Sequence, residues 1–336
     1  MPQILPSLLG AALLALGAGL ATAAPPAPKA ADACAETSRW VLAGGKRLQA
    51  APPAGPLGEA LASEVVLLGE QHDQEDHHRW QLQVLAALHA QRPDLVIGFE
   101  MFPRRLQPVL DRWVNGELSA REFITQSEWE QVWNFPPQLY MPLFEFARLN
   151  RIPMLALNVD AKLTRAIADK GWQGVPAAER EGVGRPAAPQ QAYRDLLREL
   201  HRSHLAGRRQ AGKPDNSFEN FLDAQLAWDR AMAEALAARL GPAGSPRRPL
   251  VVGVMGSGHI NFDHGVPHQL RDLGVKKVTT LLPVSGREAC AALPPGIADA
   301  VFVLPERPAA SPEPPRLGVT LEDQGKGVRI AQLNPG

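Results

Sequence analysis

The sequence predicts an α/β fold, a mainly parallel central sheet flanked by helices with an inserted helical layer. Four apolar, β-branched runs, at 65–68, 95–99, 154–159 and 250–255, have the length and composition of fully buried parallel strands. The stretches between them carry helical spacing, the alternation that builds strand-helix-strand units. Each run also ends on a polar residue able to do chemistry, and in open α/β sheets ligands bind beyond the carboxyl ends of the strands. The 336 residues are 45% hydrophobic, enough to bury one large core. Lys+Arg and Asp+Glu both number 35, so the net charge is zero and the basic footprint of a nucleic-acid binder is missing.

In chain order, residues 1–24 read as a secretory signal peptide: an apolar stretch at 8–20 leads to Ala21-Thr22-Ala23, a small-x-small cleavage pattern, although Lys and Arg are missing ahead of it. The stretch is too short to span a membrane and runs into Pro25-Pro26, and nothing later is long enough to span either. Residues 25–59 form an N-terminal linker or extension with a short element around Trp40. The main domain is expected over 60–304. Asp73 is placed to cap a helix over 74–91, whose apolar stripe is Trp80, Val84 and Leu88. The second strand delivers Glu100 and is followed by a helix over 104–113.

Residues 117–149 are rich in aromatics on short helical pieces, either a lid or a pocket wall. Helices at 190–204 and 216–240, the latter with Phe218, Leu222, Leu226 and Ala233 in helical register, form the inserted layer. The sheet resumes at 250–255 and 278–284, with 300–304 expected at its edge. Five prolines in 305–315 mark a linker at 305–316. The tail at 317–336 resembles the opening strands of a PDZ domain, cut off before helix and groove. Cys34 and Cys290 can pair in an oxidising compartment or stay as two thiols; lipidation of Cys34 lacks the usual Leu three residues earlier, so a lipobox is not evident.

The chemistry concentrates at two echoes of one pattern, Gly69-Glu70-Gln71-His72 and Gly256-Ser257-Gly258-His259, 187 positions apart and each at a strand end. With Glu100 and Asp160 at the ends of two other strands, His72, His259, Glu70, Glu100 and Asp160 form a candidate metal set for Zn, Mn or Fe. Glu70, His72, Glu100 and His259 are also the candidate catalytic residues, since a Glu held near a second carboxylate in a dry site acts as a general base. Of His77 and His78, about 100° apart on a helix, at most one is expected to face the strand end, the other being solvated.

These motifs, together with Gly98-Phe99-Glu100-Met101-Phe102, the run from Leu155 to Asp160, and Gly265-Val266-Pro267-His268-Gln269-Leu270, resemble the ChaN family of haem-binding, iron-regulated proteins, related to Tiki, TraB and erythromycin esterase proteins. The resemblance covers about residues 60–305. It implies a periplasmic or secreted protein of bacterial iron acquisition that binds haem as a homodimer through an axial tyrosine, in partnership with a haem transporter or receptor. The tyrosines are Tyr140 and Tyr193, and Arg104 and Arg105 are the candidates to pair with haem propionates. The Tiki relatives imply instead a metal-dependent hydrolase, peptidase or esterase, built on the paired histidines and strand-end carboxylates.

Overall fold

The computed structural model describes residues 30–52, 54–210, 217–242, 245, 248–306, 319–323 and 328–333. The expected signal peptide at 1–24 and all but the first two residues of the linker at 305–316 lie outside the described residues. The strands are β1 (Arg39–Leu42), β2 (Gln49–Ala50), β3 (Val65–Glu70), β4 (Leu95–Pro103), β5 (Met154–Asn158), β6 (Leu250–Gly256), β7 (Val278–Ser285) and β8 (Ala300–Leu304). They form one sheet in the order β2-β1-β8-β7-β3-β6-β4-β5. From β8 to β5 every pairing is parallel, and the two pairings of β1, with β8 and with β2, are antiparallel.

Side-chain alternation along buried strands divides the core into two layers. Val66, Leu68, Val252 and Val254 face one side, and Val65, Leu67, Val251 and Met255 face the other. Both faces are covered, which is why β3, β4 and β6 are buried along their whole length and apolar up to Glu70 and Glu100. On the first face lie α2 (Gly55–Leu61), α3 (Glu75–Gln91) and α4 (Gln107–Val114), with α5 (Ala120–Gln126), α6 (Trp129–Val132) and α7 (Met141–Leu149). The second face is covered by α10 (Phe218–Ala238) and α11 (Gly265–Asp272), with α8 (Ala161–Lys170) packed on α10 and α9 (Gln191–Gln210) laid outside it through Tyr193 and Leu197.

Several boundaries depart from the pattern-based expectation. The cap of α3 is Gln74, whose side chain makes no capping bond, and Asp73 is exposed one residue earlier. Strand β4 runs on to Pro103, and a 3₁₀ turn at Arg104–Leu106 precedes α4, where a single helix was expected. The aromatic segment is core: Trp113, Phe123, Phe144, Phe102 and Trp129 are buried against one another, with Trp113 stacked on Phe123 at 4.5 Å. Strand β8 is interior, because β1 from the N-terminal extension pairs antiparallel along its outer side, Trp40 opposite Phe302. That hairpin is stapled by the Cys34–Cys290 disulfide, which ties α1 (Ala30–Ala33) to α12 (Arg287–Ala291). In the tail, β9 (Val319–Asp323) and β10 (Val328–Leu333) pair antiparallel in a second, two-stranded sheet. Among the described residues no helix is long and apolar enough to cross a membrane.

Candidate functional site

The strand order creates the site. Strand β6 lies between β3 and β4, with Glu70 opposite Gly256, so the ends of strands far apart in sequence become neighbours. Glu70, Glu100 and the Gly256–His259 turn therefore meet at one rim. Strand β5 pairs on the outer side of β4, which places Asp160 one strand farther out. There it takes Arg105 Nε at 2.9 Å, while the backbone N–H of Asp160 donates to Glu181.

The rim holds two linked pairs. His72 Nδ1 is 2.5 Å from Glu70 Oε1, and His259 Nε2 is 3.4 Å from Glu100 Oε1. The backbone N–H of Gly256 donates to Glu100 Oε2 at 2.6 Å, and Asn158 Nδ2 donates to the Glu100 main-chain carbonyl, so this residue is held through both its carboxylate and its backbone. A substituent at Gly256 would stand 2.9 Å from His72 Cε1, so the close approach of the imidazole requires glycine there. One oxygen of Glu70, Oε2, is buried without a hydrogen-bond partner. Donor atoms of Glu70, His72 and Glu100 lie within 4.8 Å of one another, a spacing that can hold a cation.

Burial and charge set the protonation pattern. Burial pushes the Glu70 carboxyl up despite its His72 partner. For Glu100 burial acts in the same direction, but the adjacent His259, His72 and the Gly256 N–H outweigh it and hold it below the usual range. His259 is fully buried, which opposes its charge, yet Glu100 and Asp229 lift it to about 10. His72, also opposed by burial, is raised by Glu70. Two carboxyl groups driven apart in this way are the arrangement that divides acid from base work in one site.

The structure adds residues that motif reading missed. Asp229 of α10, fully buried, accepts from His259 Nδ1 at 2.6 Å and from the Tyr193 hydroxyl at 2.8 Å. It lies on the inward row Leu222, Leu226, Asp229, Ala233, Leu236; a lone acid on an apolar helix face was the available signal. Trp133 and Trp228 set their rings edge-on to His72 and His259, each at 4.7 Å.

His77 and His78 are both buried, where one was expected in solvent, because each ring completes a backbone bond. His77 Nδ1 accepts the Gln71 N–H at 3.0 Å, and His78 Nε2 donates to the His72 carbonyl. His78 Nδ1 faces Gln81 Oε1, whose amide is fixed by the Leu68 and Gly69 carbonyls, so both ring nitrogens face acceptors.

The haem candidates are placed less openly. Tyr140 is 0% exposed, its hydroxyl donating to the His72 carbonyl at 3.2 Å, and Tyr193 is 2% exposed on Asp229. Both phenols are pushed up by burial. Arg104 donates to the Ala231 carbonyl and to Glu234, and Arg105 makes a two-pronged pair with Glu128 besides Asp160. Beside the rim opens a cleft of about 730 Å³, lined among others by Met101, Trp133, Asn158 and Trp228 and by residues of α8.

The family model described as haem-binding uptake, Tiki superfamily, ChaN matches residues 57–270. Among solved structures, ChaN of Campylobacter jejuni, described for cofacial haem binding, aligns at 18% identity over 78% of this chain and 95% of that one, TM-score 0.58. That likeness is one of fold. The type III effector HopBA1 (10% identity, 75% and 93% coverage, TM-score 0.40) and a mutant of the erythromycin esterase EreC (10%, 68% and 71%, 0.40) align more loosely. No curated protein sequence matches.

Proposed function

The chain belongs to the ChaN family of haem-binding uptake proteins in the Tiki superfamily, and from this premise we propose that it binds haem as a protein of bacterial iron acquisition, exported to the periplasm or cell surface. The observation that carries the reading is the family match across 57–270, the segment that holds β3 to β6 and the rim at their ends. Export is supported by the leader-like 1–24 segment and by the Cys34–Cys290 disulfide, a bond that persists in oxidising compartments. A homodimer that exchanges haem with a transporter or receptor completes the proposal.

The residues fit haem unevenly. The cleft offers aromatic walls and cations, a match for a flat amphiphilic dianion. Neither Tyr140 nor Tyr193 offers its oxygen to a ligand while held inside, so axial ligation by a phenolate requires that tyrosine to leave its present partner. Haem supplies iron as cargo here; the chain's own part is to bind and shield it. Titration of the full chain with haemin should give a saturable Soret shift. A response that rises linearly without saturation rejects haem binding, and identical titrations by wild type, Tyr140→Phe and Tyr193→Phe reject both tyrosines as ligands.

A second reading, a metal-dependent hydrolase, is favoured by one feature of the rim: donor atoms of Glu70, His72 and Glu100 lie within 4.8 Å of one another, beside a Glu70 Oε2 that is buried without a hydrogen bond. Glu70, His72 and Glu100 would hold a divalent Zn, Mn or Fe ion, which would polarise a carbonyl or activate water. On this reading wild type retains metal through gel filtration and Glu70→Gln loses it. Metal-free wild type removes the reading.

A further inference from the structure

We infer that the cleft beside α8 is the haem site, with Lys162 and Arg165 pairing to the two propionates; this rests on the haem-binding reading above. The two arginines expected for that role are already engaged: Arg105 holds Glu128 and Asp160, and Arg104 holds Glu234 and two backbone carbonyls. Lys162 and Arg165 also line the cleft, are exposed, and among the described residues take part in no ion pair. They stand three residues apart on α8, and that spacing sets both on one helix face.

The opposing acids are largely neutralised from within. Asp160 is paired to Arg105, and Glu181 accepts the Asp160 N–H while burial pushes its carboxyl up. Glu179 is the one cleft carboxylate, among the described residues, that such a pairing does not occupy. The cleft thus keeps two free cations on one wall and the indoles of Trp133 and Trp228 on the side of the rim. Its volume of about 730 Å³ is within the range of cofactor pockets, roughly 300–1,000 Å³. A ligand that is planar, apolar across its face and doubly anionic at one edge satisfies all of these at once. A compact inorganic anion would leave the aromatic walls uncovered, and a neutral planar molecule would leave both cations unpaired.

The test compares haemin with its dimethyl ester, which keeps the ring and iron and lacks both charges. Full-length wild type and Lys162→Glu/Arg165→Glu are titrated with each, and thermal melting confirms that the variant is folded. The inference expects the variant to bind haemin about tenfold more weakly, as loss and reversal of two ion pairs implies, and to bind the ester as wild type does. Equal haemin affinity in the two proteins overturns the site. Equal weakening of haemin and ester overturns the propionate pairing, since the charge of the ligand then plays no part. If wild type binds neither ligand, haem binding itself fails, an outcome distinct from the other two.

Discussion

His77 shows how a single buried side chain governs pH response. Its ring must stay neutral at Nδ1 to accept the Gln71 N–H, and burial, reinforced by neighbouring His78, lowers it from 6.5 to about 4. A base depressed on folding contributes stability that is complete above the unfolded value and is lost as pH falls from about 6.5 to about 4. The linkage is worth at most about 3 kcal/mol. His77→Gln keeps an acceptor and cannot titrate, so chemical denaturation should show a flatter stability profile between those pH values than wild type. Parallel profiles would contradict it. His259 has the opposite sign: raised to about 10, its contribution is present below 6.5 and declines toward pH 10.

The same two residues mark what sequence reading could reach at this scale. Glu70, His72, Glu100 and His259 were legible because each follows an apolar run directly, and strand ends are where ligands bind. The roles of His77, His78 and Asp229 depend on partners distant in space: a Gln71 N–H, a His72 carbonyl and a His259 ring. No periodicity announces such bonds.

Among elements, strands were read well and their neighbours poorly. The runs at 65–68 and 250–255 could be nothing but buried strands, yet apolar composition does not say which strand lies beside which. That β5 pairs on the outer side of β4, away from β6 and β3, is what separates Asp160 from the other acids. The expectation of an edge at 300–304 failed for a related reason: the partner, β1, is four residues long, too short to stand out in a Pro- and Ala-rich extension. The N-terminal hairpin is held to the sheet by β1–β8 pairing and by the disulfide, so Cys34→Ser/Cys290→Ser should lower stability by about 2–5 kcal/mol. Hydrogen exchange should then show β1 amides opening before those of β3 and β6. If β1 stays as protected as β3 in that variant, the disulfide is not what holds the extension down.

In the whole molecule a doubly covered parallel sheet supplies the floor, and α8 and α10 supply side chains that surround the cleft and the rim. The fold class followed from four apolar runs and the helical spacing between them. The cleft did not, because its walls come from β4, α6, α8 and α10, which only the folded chain assembles. Haem binding by this assembled molecule is the central claim, and size-exclusion chromatography of the full chain with haemin, recording haem and protein absorbance together, tests it directly. Haem should travel with the protein, at an elution volume of about twice the chain mass of 36.3 kDa if the dimer forms as proposed. Haem that leaves the column apart from an unpigmented protein peak would contradict it.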